Sequence, residues 1–419
     1  MKKEKVRLGL VGFGRRGRLM TKNIFAEMKD VEIAVFCESY EPALLEAKEI
    51  LQKKGHTETV YTTEYEDVLA DPSVDAVVLM TPWFGRIEMA IRAMRAGKYT
   101  ALEVGSAYTL KQCFDLVEAY EETGVPVMLM ENCCYGRPEM MALNLREMGL
   151  WGELVHCEGA YGHFLLKDEL LANNEVGRHY RLHEYIYRSC DQYSTHELGP
   201  ILKLLHLNRG NRMLTLSSFA SKSAGIREYI RDHIGEDSEY AKADYKQADI
   251  VSTNIKCAGG ETIHICLDTT LPRGYYSRNF QVRGTKGAYF EDRHFLNVPG
   301  LDPALKHSNN EEEVFPLYDH PLWKEYVAKG EKEGHGGMDW LVGRAFVEAV
   351  KNGTDTPISA YDSALLLAIG PLTEMSIARG GAPVDVPDFT NGKWTRPAAP
   401  VEGKYCLDKV CTDESIEVY

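Results

Sequence analysis

The chain has 419 residues, 44% of them apolar and 26% charged, with a net charge of −14, which is material for two or three domains with sizeable cores. The acidic balance excludes nucleic acid or an anionic membrane surface as the main partner. No apolar run reaches the length of a membrane-spanning helix. The ten cysteines form no C-x-x-C pair, and the adjacent Cys133-Cys134 would make a strained bridge, so reduced thiols in a cytoplasmic protein are expected. The start, MKKEKVRLGLVG, is positively charged, but its short apolar part belongs to the first strand rather than to a signal peptide.

That strand, Val6–Val11, leads directly into Gly12-Phe13-Gly14-Arg15-Arg16-Gly17 and then a helix-competent segment. A G-x-G-x-x-G turn between strand and helix is the dinucleotide-binding setting: Gly12 for the tight turn, Gly14 for backbone approach to a pyrophosphate, Gly17 for close helix packing. The helix N-terminus adds unpaired N–H groups and a positive dipole end. A second strand, Val31–Cys37, ends on Glu38, about twenty residues past the turn, where a ribose-binding acid belongs. Further strands are predicted at Val60–Thr62, Asp75–Met80, Tyr99–Leu102 and Val125–Met130, with amphipathic helices such as Glu41–Lys54 and Leu110–Thr123 between them. Runs such as DAVVLM lack alternation, as in strands buried on both faces of a parallel sheet. Residues 1–135 therefore read as a doubly wound α/β domain. Glu38, Thr81-Pro82-Trp83, Glu103-Val104-Gly105 and Glu131-Asn132 should converge on one crevice at its strand ends.

After a helix over Pro138–Met148 the pattern turns to strands at Leu154–Gly162, Met213–Ser221, Ile250–Cys257, Thr262–Leu271, Asn279–Arg283 and Gly287–Phe290. Gly259-Gly260 and Gly284-Thr285-Lys286-Gly287 read as hairpin turns. Residues 136–335 are thus expected to form an α+β domain with a mostly antiparallel open sheet and few helices. Residues 300–335 read as polar and loop-like, with the acidic run Glu311–Glu313 as a solvated face. Residues 336–419 hold two helices, Gly337–Lys351 and Ala360–Arg379, expected to pack back on the first domain. A proline- and charge-rich tail beyond Thr390 would wrap the surface.

The segment 161–196 concentrates Tyr161, His163, His179, Tyr180, Arg181, His183, Tyr185, Tyr187, Tyr193 and His196. Flat apolar rings with polar tips suit a sugar, and equally suit half-buried packing. His179 and His183 stand four apart beside Glu184, but the string lacks the glutamate inside H-E-x-x-H and a third ligand, so no metal is expected. Direct glycoside hydrolysis usually needs two opposed carboxylates, and nothing in the sequence marks out such a pair.

Together these residues resemble the glucose–fructose oxidoreductase/inositol dehydrogenase superfamily, whose dehydrogenases mostly carry Glu-Lys-Pro where this chain has Glu103-Val104-Gly105. Thr81-Pro82-Trp83, Glu131-Asn132-Cys133-Cys134-Tyr135-Gly136-Arg137, Glu158-Gly159-Ala160-Tyr161-Gly162-His163, Tyr193-Ser194-Thr195-His196, Leu198-Gly199-Pro200 and Gly334-His335-Gly336-Gly337-Met338-Asp339 resemble glycoside hydrolase family 109, the NAD-dependent α-N-acetylgalactosaminidases. The resemblance runs from residue 6 to about 390. It implies NAD contacts from Arg15, Arg16, Glu38, Trp83, Phe84, Gly85, Arg86, Glu103, Val104, Asn132 and Tyr193, beside the glycines of the turn. Substrate contacts would come from Tyr161, Arg181, Tyr193, Ser194, Thr195, His196 and Tyr276.

The chain departs from the family at Phe84-Gly85-Arg86, where a polar, histidine-containing stretch is usual. It departs again at Gly105, where proline is usual, and at Glu197, where glycine often follows the histidine. The implied chemistry is transient oxidation at C3 of the sugar, elimination across C1 and C2, water addition and re-reduction. His196 would take the C3 hydroxyl proton and Tyr161 would act as the base at C2. A sugar or inositol dehydrogenase and a non-catalytic sugar sensor stay open as alternatives. A homo-oligomer, dimer or larger, is expected.

Overall fold

The computed structural model describes residues 3–171, 180–299, 301, 307–308, 311–330 and 334–410. Six strands, β1 (Val6–Val11), β2 (Val31–Cys37), β3 (Val60–Thr62), β4 (Ala76–Leu79), β5 (Tyr99–Leu102) and β6 (Val127–Leu129), form a parallel sheet in the order β3-β2-β1-β4-β5-β6. The chain order reverses between β1 and β4, and such a switch opens a ligand crevice beyond the carboxyl ends of the strands. All four residues of β4 are buried, as the unalternating sequence predicts.

Nine further strands make a second, mixed sheet: β7 (Leu154–Gly162), β8 (Met213–Ala220), β9 (Ile250–Cys257), β10 (Thr262–Asp268), β11 (Gln281–Gly284), β12 (Ala288–Phe290), β13 (Phe295–Asn297), β14 (His307–Ser308) and β15 (Val384–Asp385). Its order is β14-β13-β12-β11-β7-β10-β9-β8-β15, antiparallel throughout except for the β7–β10 pair. Both predicted hairpins are present, β9–β10 and β11–β12. β10 stops at Asp268, short of the predicted Leu271.

The helix Ala360–Ala378 joins the two sheets. It starts with a reciprocal capping box between Ser359 and Asp362. It is apolar around most of its circumference, the signature of a helix enclosed by protein. It packs against the helix Leu110–Thr123, β6 and β8. Ser363 accepts from the Leu129 N–H on the first sheet and Ser376 from the Ser218 N–H on the second, both at 2.9 Å. The other late helix, Met338–Asn352, lies against β1 and the short turn Asn132–Tyr135.

Two expectations fail. Residues 300–335 are not simply loop: helices run over Glu311–Tyr318 and Pro321–Lys329. Their apolar residues Val314, Phe315, Leu322, Trp323 and Tyr326 are buried, but the surrounding charges masked that spacing in the sequence. The second domain is also richer in helix than expected, with Tyr180–Tyr187, Thr195–Leu204 and Gly225–His233 inserted between strands. The second of these contains Gly199 and Pro200, residues that suppress a helical signal.

A buried ion network fastens the tail. Lys203, 2% exposed, donates to Asp362 at 2.7 Å and to Asp408 at 3.0 Å. Lys203→Met would leave the buried Asp362 without its cation and Asp408 with Arg209 alone, and should cost about 3–5 kcal/mol, because a broken buried pair leaves uncompensated charge. A lower urea midpoint at unchanged m-value is the expected readout.

Candidate active site

The glycine turn closes tightly. Gly12 has φ +96° with the Met80 carbonyl 2.8 Å from where a Cβ would stand, and a Cβ on Gly17 would fall 2.3 Å from the Gly12 carbonyl oxygen. Around Gly14 nothing lies within 4 Å of that position, and Gly14 caps the helix Arg15–Asn23 without a side-chain partner. Backbone open to the crevice at an uncapped helix start fits a pyrophosphate. The Glu38 carboxylate at the end of β2 accepts from the Phe13 and Tyr40 N–H groups at 2.7 and 2.8 Å, which fixes it beside the turn. These residues fit a dinucleotide.

The other implied cofactor residues divide by what their side chains do. Arg16 lies inward, donating from Nε to Glu103 at 2.8 Å and through both Nη atoms to Asp339 at 2.8 Å. Asp339 is fully buried and also accepts from Asn132 Nδ2 and pairs with His335 Nδ1, each at 2.7 Å. Burial opposes its charge, but His335 and Arg16 outweigh that and hold the carboxyl well below the usual range. Arg86 is 3% exposed and hooks the Thr81 and Val104 carbonyls at 3.1 and 2.8 Å, so its side chain ties the ends of β4 and β5 together. Trp83 donates to the Val104 carbonyl at 3.1 Å. Phe84, which follows it, is 84% exposed on the rim, edge-on to Tyr108. Gly85 holds φ +75° at the start of the next helix.

The second sheet supplies the facing wall. Tyr161, at the end of β7, stacks 4.5 Å from Tyr193, with His196 5.6 Å and Tyr276 6.2 Å away between ring centroids. The bridge between Gly162 and Ser277 sets Tyr276 there, while Tyr275 lies exposed under Arg273. The Tyr161 hydroxyl and His163 Nδ1 are hydrogen-bonded at 3.0 Å. Burial pushes the Tyr161 phenol far above its ordinary value and pulls the His163 imidazole down, so the pair rests as phenol and neutral ring.

His196 sits at the start of the helix Thr195–Leu204, after the buried Ser194 and Thr195, and its Nδ1 lies 2.7 Å from Glu131 Oε1. Burial opposes the charge on Glu131, but His196 and the Cys133 N–H overcome it and keep the carboxyl ionised. A carboxylate partner favours a proton on Nδ1, which fixes the orientation of the ring. Arg181 spans Tyr193 and Trp83 at 4.6 and 5.5 Å from their ring centres, and donates to Glu169 at 2.6 Å.

The structure therefore gathers Tyr161, Arg181, Tyr193, His196 and Tyr276 with the strand ends of the first sheet. Sequence reasoning placed Glu131 at the crevice without a task, and missed Asp339 and Glu169. The Gly334–Asp339 string was the signal for Asp339; no motif marks Glu169. His183 stacks on Tyr187, and His179 lies outside the described residues. Among the described residues, Glu131, Cys133 and His196 bring donor atoms within 4.8 Å of one another. The histidine–carboxylate contact joins two of them, and the Arg278 guanidinium lies 3.9 Å from the Cys133 sulfur. Behind His196, the Asp191 and Glu197 carboxyls are buried against each other, Glu197 accepting from the Cys266 N–H at 3.1 Å.

Fold and site define a dinucleotide-binding protein whose second domain faces the crevice with an aromatic wall. Residues 6–131 match the oxidoreductase family with an NAD-binding Rossmann fold, and residues 135–396 match the glycosyl hydrolase 109 C-terminal domain. The chain is 36% identical to an alpha-N-acetylgalactosaminidase of Tannerella forsythia over 93% of its length and 87% of that protein's. It is equally 36% identical to a glycosyl hydrolase family 109 protein of Parabacteroides distasonis, covering 93% and 88%. The chain belongs to glycosyl hydrolase family 109 and is a glycoside hydrolase. Among solved structures, an NAD-binding oxidoreductase from Klebsiella pneumoniae (TM-score 0.70, 17% identity, 92% of this chain and 100% of that one) shares the fold. So does levoglucosan dehydrogenase in complex with NADH and L-sorbose (TM-score 0.68, 18% identity, 92% and 100%). Among the described residues, no helix is long and apolar enough to cross a membrane.

Burial raises both Asp191 and Glu197 above the ordinary carboxylate range; Asp191 pushes Glu197 further up, while the hydrogen bond with Glu197 draws Asp191 partly back. An acid whose folded pKa exceeds its unfolded value, about 4, stabilises the fold most at low pH and contributes less as pH rises through the folded pKa. Glu197→Gln removes one of the opposed charges while keeping an acceptor for Cys266. The variant should exceed the wild type in Tm at pH 8 and lose that advantage at pH 4.

Proposed function

We propose that this protein is an NAD-dependent glycosidase acting on terminal N-acetylgalactosamine or a related hexosaminide by transient oxidation of the sugar. The observation that carries this reading is the state of the crevice carboxylates. Glu131, Glu169 and Asp339 are each held ionised by a basic partner, and Glu103 is paired with Arg16. A two-carboxylate glycosidase needs one carboxyl kept protonated as general acid, and these four are not arranged for that. The groups suited to move protons are His196, Tyr161 and His163.

Bound NAD would supply reversible hydride acceptance at C3, which acidifies the proton on C2. Glu131 orients His196 so that Nε2 takes the C3 hydroxyl proton and later returns it. Tyr161 takes the C2 proton while its own passes to His163 Nδ1, so a phenol with a high pKa still works as a base through its neighbour. Tyr193 and Tyr276 hold the ring, and Arg181 lies against the same wall.

Glu38 favours NAD over NADP. A 2′-phosphate at about 4 Å from its carboxylate would cost about 4 kcal/mol at an effective dielectric near 20, roughly a thousandfold in affinity. Calorimetry should find NADP much the weaker ligand; equal affinities would overturn the assignment.

The mechanism is tested by hydrolysing a nitrophenyl N-acetylgalactosaminide in D2O. Deuterium should appear at C2 of the released sugar with no net NADH, and His196→Ala should lose about 10²- to 10⁴-fold in kcat while still binding NAD. Protium at C2 with steady NADH formation would instead favour a sugar dehydrogenase.

A further inference from the structure

The turn Asn132–Tyr135 sets a thiol beside His196, and the chemistry above does not use it. Cys133 is 1% exposed, with its sulfur 3.6 Å from Asn132 Oδ1 and 3.9 Å from the Arg278 guanidinium. Glu131 caps this turn by accepting from the Cys133 N–H at 3.0 Å, and the same oxygen meets His196. A carboxylate oxygen, a sulfur and an imidazole nitrogen thereby fall within 4.8 Å of one another. Glu131 and Cys133 are sealed from solvent, whereas the His196 side chain is 14% exposed and its ring meets Tyr161 and Tyr193. The way in therefore leads past the aromatic wall.

We propose that Glu131, Cys133 and His196 form an inhibitory site for a borderline-soft divalent cation of the zinc class. This rests on the reading of the crevice as a glycoside site, because the ion occupies the histidine that cleavage requires. Carboxylate, thiolate and imidazole are the three donor types zinc takes, and three protein ligands leave its fourth tetrahedral position facing the crevice. Bonds of about 2.0 Å to nitrogen and oxygen and about 2.3 Å to sulfur put tetrahedral donors about 3.3–3.6 Å apart. A cluster spanning at most 4.8 Å then contracts by about 1.5 Å or less, while the 2.7 Å His196–Glu131 contact opens by about 0.6 Å. Binding breaks the Cys133 S–H bond, sends that proton to solvent and forms the metal–sulfur bond. The imidazole binds neutral through Nδ1, with its proton on Nε2, so it has no acceptor left for a sugar hydroxyl. Dication, thiolate and carboxylate sum to zero charge, and Arg278 keeps its own partners, Glu139 and Glu291.

The test uses the full chain with NAD added, and Co2+ as the probe that needs no turnover. Cobalt should bind with a sulfur-to-metal charge-transfer band in the near ultraviolet, and Zn2+ should bleach it, since thiolate ligands select zinc. Cys133→Ala and Cys133→Ser should both lack the band, and either suffices where the other folds poorly. With the nitrophenyl glycoside, zinc should raise the apparent KM of the wild type, because sugar and ion share one approach. Each variant, compared with its own zinc-free rate, should need at least about tenfold more zinc for the same loss, the least that removing a metal ligand costs. A wild type without the band, a band that survives in the Cys133 variants, or zinc inhibition undiminished in them overturns the proposal. A wild type that cleaves no glycoside counts against the function reading, while the metal site is still judged by the cobalt titration.

Discussion

A fully buried carboxylate, Asp339, sets the geometry on which the crevice depends. A charge with no access to water persists only when donors surround it, and Asp339 collects Arg16, Asn132 and His335 from three separate stretches of chain. Arg16 belongs to the glycine turn, Asn132 to the end of the first sheet, and Asp339 itself to the first turn of the helix Met338–Asn352. Arg16 carries the connection on to Glu103. The parts of the chain implied in cofactor binding are thereby locked to one another before a cofactor arrives, the preorganisation that lowers the cost of binding.

The groups proposed to move protons lie on the wall opposite that anchor. Glu131 crosses from the end of β6 to His196, so the imidazole of the second domain takes its orientation from a carboxylate of the first. The hydrogen bond therefore does two tasks, joining the domains and fixing the ring. The Tyr161–His163 pair is made differently, by burial above all, which raises the phenol and lowers the imidazole. One relay is set by charge and the other by desolvation, and they meet at the same pocket.

The first sheet was legible because its signals are local. Strand and turn follow each other within a dozen residues, and β1, β2, β3 and β5 run over the predicted residues. The second sheet was legible as strands and hairpins, but its parallel β7–β10 pair joins segments about a hundred residues apart, and no local pattern announces it. Helices in 300–335 were hidden because five buried apolar residues are outnumbered by charges. At the site, residue type indicated Tyr161, Tyr193 and His196. Glu169 was invisible, and the task of Asp339 hidden despite its marked string, for one physical reason: a carboxylate's role is defined by the arginines it meets, and those lie 323, 154 and 12 positions away.

Two of the three departures from the family pattern meet at one place in the structure. Gly105 has φ +149°, and a Cβ there would fall 2.2 Å from the Trp83 indole nitrogen. The absence of a side chain is what lets Trp83 lie down on the end of β5 and donate to the Val104 carbonyl. Arg86, in the second departing stretch, reaches the same carbonyl from the other side. Proline at 105 would fix φ near −65° and expel the indole. Trp83 in turn is the surface over which Arg181 extends, edge-on to Tyr180 and 5.9 Å from Tyr193. Trp83, Arg86 and Gly105 thus meet at the Val104 carbonyl, and what they jointly build is the floor under Arg181. The third departure, Glu197, stands apart: it lies behind His196, against Asp191, and alters the charge beneath the site rather than the wall that faces it.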